Sequence, residues 1–91
     1  LVKAAVDIEK EIMAIDGELH ADEETLLIEN GSKRENIWGV NLYPDLEEGK
    51  WIEFDSMINL KPGFGNRTRG VENQETGEKI IRIVNKLVKR Q

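Results

Sequence analysis

Ninety-one residues suffice for one domain with one apolar core, near the lower size at which such a core keeps a chain folded. A composition of 38% hydrophobic and 34% charged residues excludes an intrinsically disordered chain, and no apolar run approaches the ~20 residues needed to cross a bilayer. Without cysteine there is no disulfide framework, thiolate metal cage or thiol nucleophile, which fits a reducing cytoplasm, and a formal charge of −5 weighs against nucleic acid as a partner.

The chain opens at Leu1 rather than at a methionine, so a segment upstream is expected to be missing. Over residues 1–15 two patterns compete. Val2, Ala4, Val6 and Ile8 alternate as on a strand, with a turn at Glu9-Lys10 leading to a second strand, while Ala5, Ile8, Ile12 and Ile15 fall at helical spacing. The β-branched content favours the hairpin. A helix follows over residues 21–30: Asp22, Glu23 and Glu24 suit the positive end of its dipole, Leu26 and Leu27 supply buried groups, and Gly31 ends it.

Residues 37–43 alternate as a strand with Trp38, Val40 and Leu42 on one face. A loop containing Pro44 leads to a returning strand over residues 51–60, which puts Ile52, Phe54, Ile58 and Leu60 together. Residues 63–74 read as irregular. The last helix, residues 75–89, buries Ile80, Ile81, Val84, Leu87 and Val88, and its basic residues Lys79, Arg82, Lys86, Lys89 and Arg90 crowd the C-terminal end. These elements predict a single two-layer α+β domain over residues 1–91: an antiparallel sheet of about four strands with two helices on one face. The other sheet face is left to Asn41, Tyr43, Trp51, Glu53, Asp55, Met57 and Asn59.

Three constellations carry the candidate chemistry. The only histidine stands in the acidic run Asp16-Gly17-Glu18-Leu19-His20-Ala21-Asp22-Glu23-Glu24. Imidazole and carboxylates at His20, Asp22 and Glu24 are ligand types for a divalent cation. The competing reading is an acidic helix start, since the run is neither an EF-hand nor a two-histidine zinc motif. The second is Lys61-Pro62-Gly63-Phe64-Gly65-Asn66-Arg67-Thr68-Arg69, in which Gly65, Asn66 and Arg67 offer backbone and guanidinium donors to an anion. Its competitor is a surface connection whose arginines pair with nearby acids. The third is the open sheet face, where Asn41, Trp51 and Asn59 suit contact with a second copy or a protein partner.

Several of these stretches, Val6-Asp7-Ile8-Glu9-Lys10, Gly17-Glu18-Leu19-His20-Ala21-Asp22, Gly31-Ser32, Trp38-Gly39-Val40-Asn41, Ser56-Met57-Ile58-Asn59 and Gly65-Asn66-Arg67, taken in order resemble a family of small prokaryotic proteins known only as a domain of unknown function. The resemblance implies no activity, substrate or cofactor. It does imply a hairpin at the start, because relatives carry Lys-Gly at the first turn where this chain has Lys10-Glu11. Relatives also carry a second glycine at the place of Asp16 and a small residue at that of Glu23, whereas His20, Asp22, Glu24, Asn59, Pro62, Asn66 and Arg67 follow the pattern.

Two functional expectations result. One is a small soluble binding module that takes a divalent cation or a protein partner, as a homodimer or with another chain, through the open face. The other is a metal-assisted hydrolase of a small phosphorylated or carboxylated substrate, with His20, Asp22 and Glu24 working opposite Asn66 and Arg67. Both depend on two remote segments meeting beside the sheet.

Overall fold

The first fifteen residues fold as a hairpin in the computed structural model, which describes residues 1–89. Strand β1 (Val2–Asp7) pairs antiparallel with β2 (Ile12–Ile15), Asp7 opposite Ile12. The turn between them is built on the buried Asp7 carboxylate. Its Oδ1 accepts the N–H groups of Glu9 and Lys10 at 2.8 and 3.0 Å, and its Oδ2 accepts the Ser32 hydroxyl at 2.5 Å. Glu11 closes the turn at φ 56° and Asp16 leaves β2 at φ 67°, both left-handed. These are the two positions at which the resemblance places glycine, the residue that adopts this conformation without a Cβ clash.

Helix α1 (His20–Glu29) follows and ends at Gly31, whose φ is 97°. Strand β3 (Ile37–Leu42) lies antiparallel to β1 along its whole length, and β4 (Ile52–Glu53) is a two-residue edge. The sheet order is β2-β1-β3-β4. Helix α2 (Gln74–Leu87) starts at Asn73, whose Oδ1 accepts the Thr76 N–H at 3.0 Å. Four antiparallel strands and two helices make the α+β arrangement expected from the sequence. Among the described residues no helix is long and apolar enough to cross a membrane.

The helices divide between the two sheet faces rather than sharing one. Ala4 and Val6 of β1 and Trp38, Val40 and Leu42 of β3 pack with Ile80, Ile83 and Val84 of α2. Residues one position along each strand point the other way, where Ala5, Ala14 and Ile37 pack with Leu27 of α1. Small groups on that second face (Ala5, Ala14 and Gly39) let α1 come close to it. Polar residues such as Asn41 and Glu53 make the same face read as wet in the sequence.

Other expectations change for local reasons. The returning strand stops at Glu53, and residues 57–59 form a 3-10 turn instead. Ile52 and Phe54 therefore pack on the α2 side and Ile58 on the α1 side. Trp51, expected on the open face, is 1% exposed within the α2-side core. Asn59, expected beside it, is fully buried. Leu26, Ile81 and Leu87 point outward, and Ile83 takes the core position. Of the basic residues at the end of the last helix, Arg90 lies outside the described residues.

Candidate functional site

Helix α1 covers only half of its sheet face. Its buried residues His20, Glu23 and Leu27 fall at positions one, four and eight of the helix and meet the sheet from the Gly39 level to the Ala14–Ile37 level. Beyond Gly39 the same face continues through the cross-strand neighbours Lys3, Asn41 and Glu53, which border an open space with no helix above them among the described residues. The space is a cleft of about 620 Å³. Its polar lining is Lys3, His20, Asn41, Tyr43, Glu53, Asp55, Ser56 and Arg69, and Leu19 and Met57 on its margin are mostly exposed.

Two asparagines give the cleft its shape. Beyond β4 the edge of β3 has no strand partner among the described residues, and the Asn59 side chain replaces one. Its Oδ1 accepts the Gly39 N–H at 2.8 Å while its Nδ2 donates to the Gly39 carbonyl at 3.0 Å and to the Arg69 carbonyl at 2.8 Å. Asn66, also buried, donates to the carbonyls of Asn59, Thr68 and Gly70 and accepts the Glu72 N–H at 2.8 Å. The Ser56 N–H donates to the Arg69 carbonyl at 3.0 Å. Together these bonds fold residues 56–72 back so that Ser56 and Arg69 reach the cleft. Gly39 permits the approach: a Cβ there would stand 2.5 Å from Ser56 Oγ and 3.1 Å from His20 Cγ.

At the Asn41–Tyr43 corner of the cleft the side-chain donors are spent. Asn41 Nδ2 donates to Glu53 Oε1 at 2.9 Å and to the Asp55 carbonyl at 3.2 Å, which fixes the orientation of the amide. Tyr43 donates its hydroxyl proton to the same Glu53 oxygen at 3.1 Å, and that bond to a carboxylate pushes the phenol pKa up. Arg69 Nε meets Asp55 Oδ1 at 2.6 Å. Asn41 Oδ1 is buried and has no partner among the described residues. His20 is buried, which pulls its pKa down despite the opposing bond from Nε2 to the Val40 carbonyl at 2.8 Å. A neutral ring that donates from Nε2 keeps its Nδ1 as an acceptor.

A second buried acid lies on the same helix. Glu23 is 2% exposed; its Oε2 accepts the Gly17 N–H at 2.9 Å and its Oε1 has no partner among the described residues. Burial raises its pKa from 4.5 to about 7 against the pull of that hydrogen bond. Glu23 sits behind the cleft and does not line it.

The residues singled out from sequence distribute unevenly. His20 enters the cleft; Asp22 is exposed on α1, and Glu24 faces Arg34 at 3.8 Å. Among the described residues no group of three His, Asp or Glu side chains stands together as a metal site. Gly65 ends a 3-10 turn at φ 84°, Asn66 is committed to backbone partners, and the exposed Arg67 donates its N–H to Glu72. Arg69, two residues further, is the member of that loop that reaches the cleft. Of the open-face residues, Asn41, Tyr43, Glu53, Asp55 and Met57 line the cleft while Trp51 and Asn59 do not. Lys3 escaped notice, although the alternation that places Ala4 and Val6 inward puts Lys3 on the opposite face.

A family model described as a protein of unknown function (DUF5674) matches residues 1–87. No curated protein and no solved structure matches the chain.

Proposed function

Because the chain belongs to the DUF5674 family, whose description assigns no function, we propose from the cleft itself that it is a small binding module that seats a small polar ligand on the uncovered half of its sheet. The observation that carries this reading is convergence. Polar side chains from β1, α1, β3, β4 and the 55–69 segment meet in one concave site, held there by the buried Asn59 and Asn66. A module fits better than a hydrolase because the residues expected to work together in a hydrolase lie apart: His20 lines the cleft, whereas Asp22 is exposed on α1, Glu24 faces Arg34, and Asn66 is committed to backbone partners. The absence of cysteine suits a reducing cytoplasm as its place of work.

A second reading, contact with a protein partner, is favoured by the margin of the cleft. Leu19 and Met57 are 59% and 62% exposed there, an apolar border around a polar floor. An amide NMR screen against small metabolites, followed by sizing over a range of concentrations, separates the two. Saturable shifts at residues 41, 43, 53, 55 and 69 support the ligand cleft. A concentration-dependent dimer broken by Met57→Asp supports the partner. A screen that leaves the cleft unshifted, together with a monomer at every concentration, refutes both.

A further inference from the structure

Donor accounting at one corner of the cleft narrows the ligand, and the argument rests on the cleft being a ligand site. Asn41 has used both of its amide hydrogens, on Glu53 Oε1 and the Asp55 carbonyl, and Tyr43 has used its only one on Glu53 Oε1. What these groups still present to the cleft are acceptors, the Tyr43 oxygen and the second oxygen of the exposed Glu53. Behind them Asn41, 6% exposed, leaves its Oδ1 closed to solvent and without a partner among the described residues. A buried carbonyl oxygen without a donor costs stability, so a ligand donor that enters past Tyr43 and Glu53 and reaches it recovers that cost.

We infer that the ligand carries a primary ammonium group, seated by the acceptor-only corner of Asn41, Tyr43 and Glu53, and an anionic group held by Arg69 and Lys3. An ammonium brings three donors and a positive charge beside the Glu53 carboxylate, so it satisfies the corner in number and in sign. Arg69 uses Nε on Asp55, which leaves its two terminal nitrogens to form a fork for a carboxylate. The Lys3 ammonium is in no ion pair among the described residues, and its charge falls on His20 and Glu23 on the helix side of the cleft. With Lys3 and Arg69 opposite in sign to Glu53 and Asp55, the lining is balanced, as a small zwitterion of the amino-acid type requires.

The test is an NMR titration at constant ionic strength that follows the Asn41 side-chain amide and the backbone amides of residues 41, 43 and 53. The probes are the common amino acids, methylammonium, tetramethylammonium and acetate. At least one amino acid is expected to give saturable shifts there, methylammonium weaker shifts at the same residues, and tetramethylammonium none, because it carries the charge without an N–H. Glu53→Gln should weaken the amino-acid response at least tenfold, and Arg69→Ala should reduce it to the methylammonium level. Equal shifts with tetramethylammonium, or shifts with acetate and not with either amine, overturn the assignment. So does silence with every amino acid and with methylammonium. If the metabolite screen meanwhile finds a ligand without an amine that shifts the same residues, the cleft stands and only its ligand class falls.

Discussion

Glu23→Gln tests whether a buried, half-satisfied carboxyl sets the pH dependence of folding. The folded protein holds Glu23 at about 7 against 4.5 for the ordinary side chain, chiefly by burial. An acid whose pKa is raised on folding contributes stability that is fully present below the unfolded value and is lost as the pH rises through the folded one. At 1.36 kcal/mol per tenfold change the loss totals roughly 3 kcal/mol, of which about 2.5 kcal/mol falls between about pH 5 and about pH 8.5. His20 works in the opposite direction. Burial lowers its pKa, so its contribution is present above 6.5 and is lost as the pH falls. Comparison of the wild type with Glu23→Gln cancels His20 and every other group, because glutamine reproduces the shape of the protonated acid and does not titrate. Urea unfolding followed by the fluorescence of the buried Trp38 and Trp51 gives both stabilities across the range. The variant should gain on the wild type as the pH rises, by about 2.5 kcal/mol over that span. A difference that stays constant with pH, or shrinks as the pH rises, would refute an uncompensated carboxyl at this position.

Three further outcomes are expected. Gly39→Ala forces a methyl group to within 2.5 Å of Ser56 Oγ and 3.1 Å of His20 Cγ; it should cost about 1–3 kcal/mol in urea unfolding and shift the His20 ring resonances. Asn59→Ala strands the Gly39 N–H and carbonyl and leaves the Arg69 carbonyl with only the Ser56 N–H, so it should cost about 3 kcal/mol, with faster amide exchange at Ser56. Glu11→Gly removes a side chain from a left-handed residue and should raise stability by up to about 1 kcal/mol, even though it deletes the exposed 3.6 Å ion pair to Lys86. A thermal melt that shows Glu11→Gly less stable than the wild type would argue that residue 11 is not strained.

Much of the fold was legible because it depends on short-range pattern. Alternation along residues 2–7 and 37–42 placed Ala4, Val6, Trp38, Val40 and Leu42 on one side, and the acids ahead of Leu27 with Gly31 after it bounded the first helix. The same alternation put Asn41, Tyr43, Glu53 and Asp55 on the opposite face, and all four line the cleft. It failed at Trp51 and Asn59. Period two holds only while the chain stays in the sheet, and β4 contains just Ile52 and Glu53. No local signal shows that a side-chain amide will take a strand's place at Gly39, because Asn59 and Gly39 are twenty residues apart.

The acidic run around His20 shows the same division. Residue types and spacing correctly marked a helix start, since charge near a helix end acts within one turn. Which side chains turn inward was a matter of what they met. His20 and Glu23 face the sheet because small groups at Ala5, Ala14 and Gly39 leave room for the helix, while Asp22 remains in water. Local order is written in propensities and periods that a few neighbouring residues decide. The cleft depends on Lys3, His20, Asn41, Glu53 and Arg69 from distant parts of the chain, and only the packed sheet and helix bring those side chains to one place.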